Sequence, residues 1–211
     1  MDIVIARYNE DLNWIEWSIN SDLNFIVYNK GSTFKQKGCT IKNIPNFGRE
    51  GETFLRHIIE NYDNLAHVTL FIQGNPFEHT CLMITNIQTY LSALMTQINP
   101  QDNILSPFGC QLYPEILKGN VKEYVNYLFP TYRDDKIMFS CGCQYMITKN
   151  MIRKIPLKVF KAVRRLLLNA EVDNKTRYTF GKNYLNCHVL ERLFTMIFLY
   201  PINDEIVNDY A

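Results

Sequence analysis

Several apolar runs in this chain end in clusters of side chains able to bind anions, cations or protons. Arg7-Tyr8-Asn9-Glu10 follows Ile3–Ala6, and Asn29-Lys30-Gly31 follows the run that ends at Tyr28. Asn46-Phe47-Gly48-Arg49-Glu50 precedes a strongly amphipathic segment. Glycines there allow close backbone approach, a helix N-terminus offers N–H groups, and Arg49 offers a planar cationic fork for phosphate or carboxylate. Lys30 suits a diphosphate, and Tyr8 suits stacking on a base. Gln73, Asn75, Glu78 and His79 follow the run Val68–Ile72, and such oxygen and imidazole ligands suit Mn²⁺ or Mg²⁺. Farther on, His188, Glu191, Arg192 and Thr195 are spaced to share one helix face. Glu191 has the chemistry of a general base, although a Glu-Arg ion pair explains the same residues.

Positioning these clusters requires an alternation of strands and helices. Strand-like runs fall at 3–6, 24–28, 68–72, 104–106, 137–140 and 144–148. Helical periodicity predicts helices over 9–19, 53–65, 85–98, 114–128, 156–168 and 188–200. Asn9 reads as an N-cap, Pro114 and Pro156 as first helical residues, and Pro201 as a stop. On the last helix Val189, Leu193, Met196 and Ile197 form the expected buried face. Strands alternating with helices predict an α/β fold whose mostly parallel sheet is flanked by helices. In open sheets of that kind, ligands bind beyond the carboxyl ends of the strands.

Composition narrows the class further. With 47% apolar residues in 211, a sizeable core forms and disorder is excluded. The net charge of +1 leaves no electrostatic footprint for nucleic acid. No apolar stretch is long enough to span a membrane, and the first residues lack a signal-peptide pattern, so a cytoplasmic protein is expected. Six cysteines are scattered, with reduced thiols the simplest reading. Cys141-Gly142-Cys143 has no second pair at zinc spacing and reads as small buried strand residues. No Gly-x-Gly-x-x-Gly follows the first strand, which argues against a dinucleotide site and a methyltransferase. The scarcity of paired aspartates argues against a nucleotidyltransferase.

Taken together, Ile3-Val4-Ile5-Ala6-Arg7-Tyr8-Asn9-Glu10, the Asn46–Glu50 loop, Thr53–Leu65, Phe71-Ile72-Gln73-Gly74 and Leu190-Glu191-Arg192-Leu193 resemble the GT-A nucleotide-sugar glycosyltransferases. The chain is similar over nearly its whole length to the N-terminal glycosyltransferase domain of multidomain proteins of large chlorella viruses. The resemblance implies one GT-A-like domain, with a donor-binding half over about 1–105 and an acceptor-side half over about 106–211. It implies a UDP-type donor, carrying a hexose or rhamnose, and a glycan or glycoprotein acceptor. It also implies a divalent cation, Mn²⁺ or Mg²⁺, further domains C-terminal to this one, and a location in the host cytoplasm. Donor-site residues would be Ala6, Arg7, Tyr8, Asn9, Glu10, Asn29, Lys30, Gly31, Asn46, Arg49, Gln73 and Gly74. Asn75, Glu78 and His79 would face the metal, Gln144, Tyr145 and His188 the acceptor, and Glu191 would be the base. One departure stands out: Gln73-Gly74-Asn75 occupies the place where these enzymes usually carry Asp-x-Asp. A non-catalytic module that binds a nucleotide sugar or a glycan is the alternative reading.

Overall fold

The computed structural model describes residues 1–16, 23–79, 96, 98–99, 101–108, 112–172, 181–182 and 185–211. Its centre is a six-stranded mixed sheet of order β3-β2-β1-β4-β8-β5. The strands are β1 Asp2–Arg7, β2 Asn24–Asn29, β3 Cys39–Asn43, β4 Val68–Gln73, β5 Leu105–Pro107 and β8 Tyr145–Thr148. β1, β2, β3 and β4 run parallel, and β8 runs antiparallel to both β4 and β5. A separate two-stranded antiparallel sheet pairs β6 (Tyr113–Ile116) with β7 (Lys136–Phe139). Helices among the described residues are α1 Arg49–Asn61, α2 Gly119–Leu128, α3 Lys149–Arg153, α4 Leu157–Val172, α5 Cys187–Leu199 and α6 Asp204–Tyr210.

Strand alternation divides the core between the two faces of the sheet. Ile3, Ile5, Phe25, Val27, Val68, Leu70 and Ile72 point to one face, where Leu12, Trp14 and Phe108 cover them. Val4, Ile26, Tyr28, Phe71, Tyr145 and Ile147 point to the other, against α1, α4 and α5. The near-continuous apolar runs of β1 and β4 reflect burial on both faces, as parallel strands require.

Several expectations need correction. The helix predicted from Pro114 does not begin there: residues 113–116 form β6, and α2 starts at Gly119. Proline is tolerated at Pro114 because β6 belongs to a two-stranded sheet, where an edge needs no donor. α1 begins at Arg49, four residues before the predicted start, so its first turn is part of the polar loop. Asn9 is not an N-cap. Its Oδ1 accepts from the Ser32 N–H at 3.0 Å and the Ser32 hydroxyl at 2.9 Å, and among the described residues 9–16 the helical turn is a 3₁₀ turn at Asn13–Ile15. Cys141 and Cys143 lie in a 3₁₀ turn rather than a strand. β3 was not anticipated, because Cys39-Thr40-Ile41-Lys42-Asn43 on the sheet edge has only weak alternation. The helix expected over 85–98 falls almost wholly outside the described residues, as do Cys81 and Cys110.

One core group makes the fold acid-sensitive. His57 on α1 is fully buried between Tyr28 and Phe71. Its Nδ1 lies 3.2 Å from the Tyr28 hydroxyl, and its Nε2 has no hydrogen-bond partner among the described residues. Burial pushes its pKa down to about 4. The unfolded chain, with an ordinary histidine near 6.5, therefore binds the proton more readily. Stability is complete above pH 6.5 and falls as the pH drops toward 4, by about 3 kcal/mol from this group. His57→Leu is expected to flatten that part of the stability–pH curve, measured by urea unfolding at several pH values. An unchanged slope would remove His57 as its source.

Candidate functional site

The strand order sets where a ligand goes. β1, β2 and β3 extend in one direction, and β4 then returns to the other side of β1, so the carboxyl ends of β1 and β4 diverge at a topological switch point. A cavity of about 470 Å³ opens there. The end of β1 contributes Ala6, Arg7, Tyr8 and Glu10, and the end of β2 contributes Lys30. The end of β4 contributes Gln73, the turn after it Glu78, and the entry to α1 Asn46, Arg49 and Glu50.

A polar lattice fixes the strand ends. Arg7 is buried, with Nε donating to the Glu10 carbonyl at 2.9 Å and Nη1 to Asn29 Oδ1 at 2.7 Å. Its guanidinium also lies 4.0 Å from the centre of the Phe34 ring. Among the described residues no carboxylate pairs with Arg7, so its charge stays available to an anion in the cavity. Asn29 Nδ2 donates to the Ser32 carbonyl and to Asn43 Oδ1, each at 2.9 Å, tying the ends of β1, β2 and β3 together. Gly31 is a contact point of the same lattice: a Cβ there would lie 1.5 Å from the Tyr8 carbonyl oxygen. Tyr8 itself is 52% exposed at the rim. Glu10 Oε2 accepts the Tyr8 N–H at 2.6 Å, and Gly74 lies against the same carboxylate.

Lys30 lines the cavity, but its ammonium is already engaged by the protein. Its side chain is buried, donates to the Phe47 and Arg49 carbonyls at 2.5 Å, and stands 3.2 Å from Glu52 Oε2. Burial pulls its pKa down against the pull of Glu52. With three donors so engaged, Lys30 clamps the loop to α1, and its ammonium is not free for a diphosphate. Glu52 is also bonded by Arg56 and Arg164, with Nη2 distances of 2.8 Å each. Burial pushes its carboxyl up, but Lys30, Arg164 and Arg56 together hold it below the ordinary carboxylate range.

Arg49 follows Gly48, and both have positive φ (51° and 57°). For a non-glycine such a backbone is strained, and strain of this kind concentrates at ligand-contacting segments. Arg49 is half exposed, with Nη1 3.3 Å from His188 Nδ1 and 3.4 Å from Nε2. His188 thus meets the site through Arg49.

Glu191 is not among the residues that line the cavity, and its side chain is 18% exposed. Its Oε1 accepts the Gly142 N–H at 2.6 Å. Gly142 in turn packs so tightly on Gln73 that a Cβ would lie 2.8 Å from that side chain. Arg192 reaches Glu115 (3.6 Å), the Phe139 ring and, at 3.8 Å, Glu191 Oε2, so the Glu-Arg ion pair forms. Thr195, expected on the polar face of α5, is buried and lies 2.6 Å from the Tyr145 hydroxyl.

Gln144 and Tyr145 are fully buried, which separates them from any acceptor. Gln144 accepts the Gln73 N–H at 3.3 Å and donates to the Pro76 carbonyl at 3.1 Å, so it shapes the turn after β4. The Tyr145 hydroxyl also accepts the Ser140 N–H at 2.7 Å, and its ring stacks on Phe194.

The residues expected at a cation divide. Glu78 lines the cavity, Asn75 is exposed outside the lining, and the His79 side chain is outside the described set. No three His, Cys, Asp or Glu residues converge on a metal position among the described residues. Two of the three carboxylates that line the cavity, Glu10 and Glu78, nevertheless have the chemistry for Mg²⁺ or Mn²⁺ held partly by a ligand's phosphates. Glu50 was passed over in the sequence except as part of its loop. The signal for it was its position two residues before Glu52 at a helix start.

The strand order and cavity define an α/β protein with a polar crevice at its switch point. Residues 3–106 match the model of the family described as "Protein of unknown function (DUF3431)", a span that contains all ten lining residues. No curated protein matches the chain. No helix among the described residues is long and apolar enough to cross a membrane.

Proposed function

We propose that the protein is a GT-A-like glycosyltransferase that binds a nucleotide sugar in the switch-point crevice and passes the sugar to a hydroxyl of a glycan or glycoprotein. The carrying observation is the cavity itself, with buried Arg7, strained Arg49 and exposed Tyr8 around carboxylates at the ends of β1, β4 and α1. Tyr8 offers a face to the base of a UDP-type donor. Arg7 and Arg49 meet the diphosphate and stabilise the negative charge that grows on it as the glycosidic bond breaks. Glu10 and Glu78 would hold a divalent cation, which when bound adds charge stabilisation at the leaving diphosphate. The proton of the acceptor hydroxyl goes to a carboxylate that lines the crevice. The mixed sheet is compatible with the GT-A reading, and the sequence resemblance favours a hexose or rhamnose as the sugar.

Arg49→Ala is expected to weaken the binding of UDP about tenfold or more by calorimetry, since a charge-assisted bond of about 1.5–3 kcal/mol is lost. The fold should be retained, because the Arg49 backbone carbonyl still receives Lys30. Unchanged affinity would remove Arg49 from the donor site.

A further inference from the structure

We propose that Glu50 is the catalytic residue that takes the acceptor's hydroxyl proton, and that Glu191 is a positioning residue acting through Glu50 and Gly142. The proposal rests on the transferase reading above. It follows from what each carboxylate near the crevice already does. Glu52 is closed off within three cations. Glu10 is engaged by the Tyr8 N–H and lies against Gly74. Glu78 is exposed at the rim. Glu191 is absent from the lining, accepts the Gly142 N–H with one oxygen and pairs with Arg192 at 3.8 Å through the other.

Glu50 differs from all of these. It lines the cavity while its side chain is only 11% exposed, and its charged contact is Arg49 Nε, 3.5 Å from Oε2. It stands on the first turn of α1, directly after the two left-handed residues, so the strained entry of the helix aims this part of the chain into the crevice. The groups facing it are Arg49 on its own helix, Lys30 after β2, Cys143 on the 3₁₀ turn and Glu191 on α5. Burial lifts its carboxyl above the ordinary range. Its own backbone N–H and Arg49 pull against this, and the Glu191 charge adds to the lift. The Cys143 thiol, fully buried, is pushed up by burial and by both carboxylates, so it adds no charge. A carboxylate shifted toward neutrality is a stronger base than an exposed one.

In the step itself the acceptor oxygen bonds to the anomeric carbon, and the bond from that carbon to the phosphate oxygen breaks. Its electron pair leaves on the diphosphate. The hydroxyl proton moves to Glu50, which later releases it to solvent. Glu191 holds the 3₁₀ turn against Gln73 and keeps a like charge beside Glu50.

The test compares Glu50→Gln, Glu191→Gln and the unaltered protein. UDP release is followed from UDP-glucose, UDP-galactose and UDP-rhamnose with Mn²⁺, alongside calorimetric binding of UDP. Glu50→Gln is expected to lose turnover by about 100-fold or more with UDP affinity unchanged. Glu191→Gln should retain turnover and move the acidic limb of the kcat/KM profile to lower pH, because a like charge is removed. Full turnover in Glu50→Gln overturns the proposal while leaving the transferase reading intact. An unmoved acidic limb in Glu191→Gln overturns the positioning role. No UDP release by the unaltered protein from any donor overturns both the proposal and the transferase reading.

Discussion

Glu52→Gln is expected to lose about 3–5 kcal/mol of stability, the cost of breaking a buried ion network by removing one partner. Glu52 is fully buried on α1 and collects Lys30 from the end of β2, Arg56 from its own helix and Arg164 from α4. Glutamine keeps the shape but leaves three cations around a neutral amide. The loss reaches the site, because Lys30, released from Glu52, no longer fixes the Phe47 and Arg49 carbonyls. Urea unfolding measures the effect, with Glu60→Gln as the comparison. Glu60 is 42% exposed, and its pairs with Lys42 and Arg56 are solvent-screened, so its loss should stay within about 1 kcal/mol. Equal effects of the two substitutions would show that Glu52 is not the hub.

Gly31→Ala is the second large effect, of a different kind. Its Cβ would lie 1.5 Å from the Tyr8 carbonyl oxygen and 2.5 Å from Asn9 Oδ1. The first obstacle is backbone, so no side-chain rotation relieves it and the ends of β1 and β2 must separate. A loss of about 3 kcal/mol is expected, at the upper end for overpacking. UDP affinity should fall with it, since Tyr8 and Arg7 border the displaced segment. Gly119→Ala provides the contrast: its φ is +51°, but no atom lies within 4 Å of a Cβ there, so only local strain of about 1–2 kcal/mol is added. Folding and UDP binding unaffected by Gly31→Ala would contradict the close approach of the two loops.

The sheet was largely legible from the chain because burial on both faces leaves β1, β2, β4 and β8 as apolar runs. The edge strand β3 and the short strand β6 were not, since their polar and apolar residues follow no strong alternation and Pro114 imitates a helix start. The crevice was legible as loops: Arg7, Tyr8, Glu10, Arg49, Gln73 and Glu78 all reach it. What could not be read was how neighbouring charges share their partners. Lys30 looks like a phosphate ligand until Glu52 is found 3.2 Å away, twenty-two residues along the chain. Glu191 looks like a base from its helix face, yet it is not among the residues that line the cavity, and Gly142 and Arg192 engage its carboxylate. Glu50 looks like ordinary first-turn acid until its burial beside Arg49 and Glu191 is seen. Such distinctions depend on contacts between distant segments, which periodicity does not encode.

The central claim is that the crevice at the ends of β1, β2 and β4 turns over a nucleotide sugar. The most direct measurement is release of the nucleoside diphosphate from a panel of UDP-linked hexoses and UDP-rhamnose, with and without Mn²⁺, by the unaltered protein and by Arg49→Ala. Release from at least one donor, reduced in Arg49→Ala, is the predicted result. Clear donor binding with no release from any member of the panel would contradict it and leave a binding module in its place.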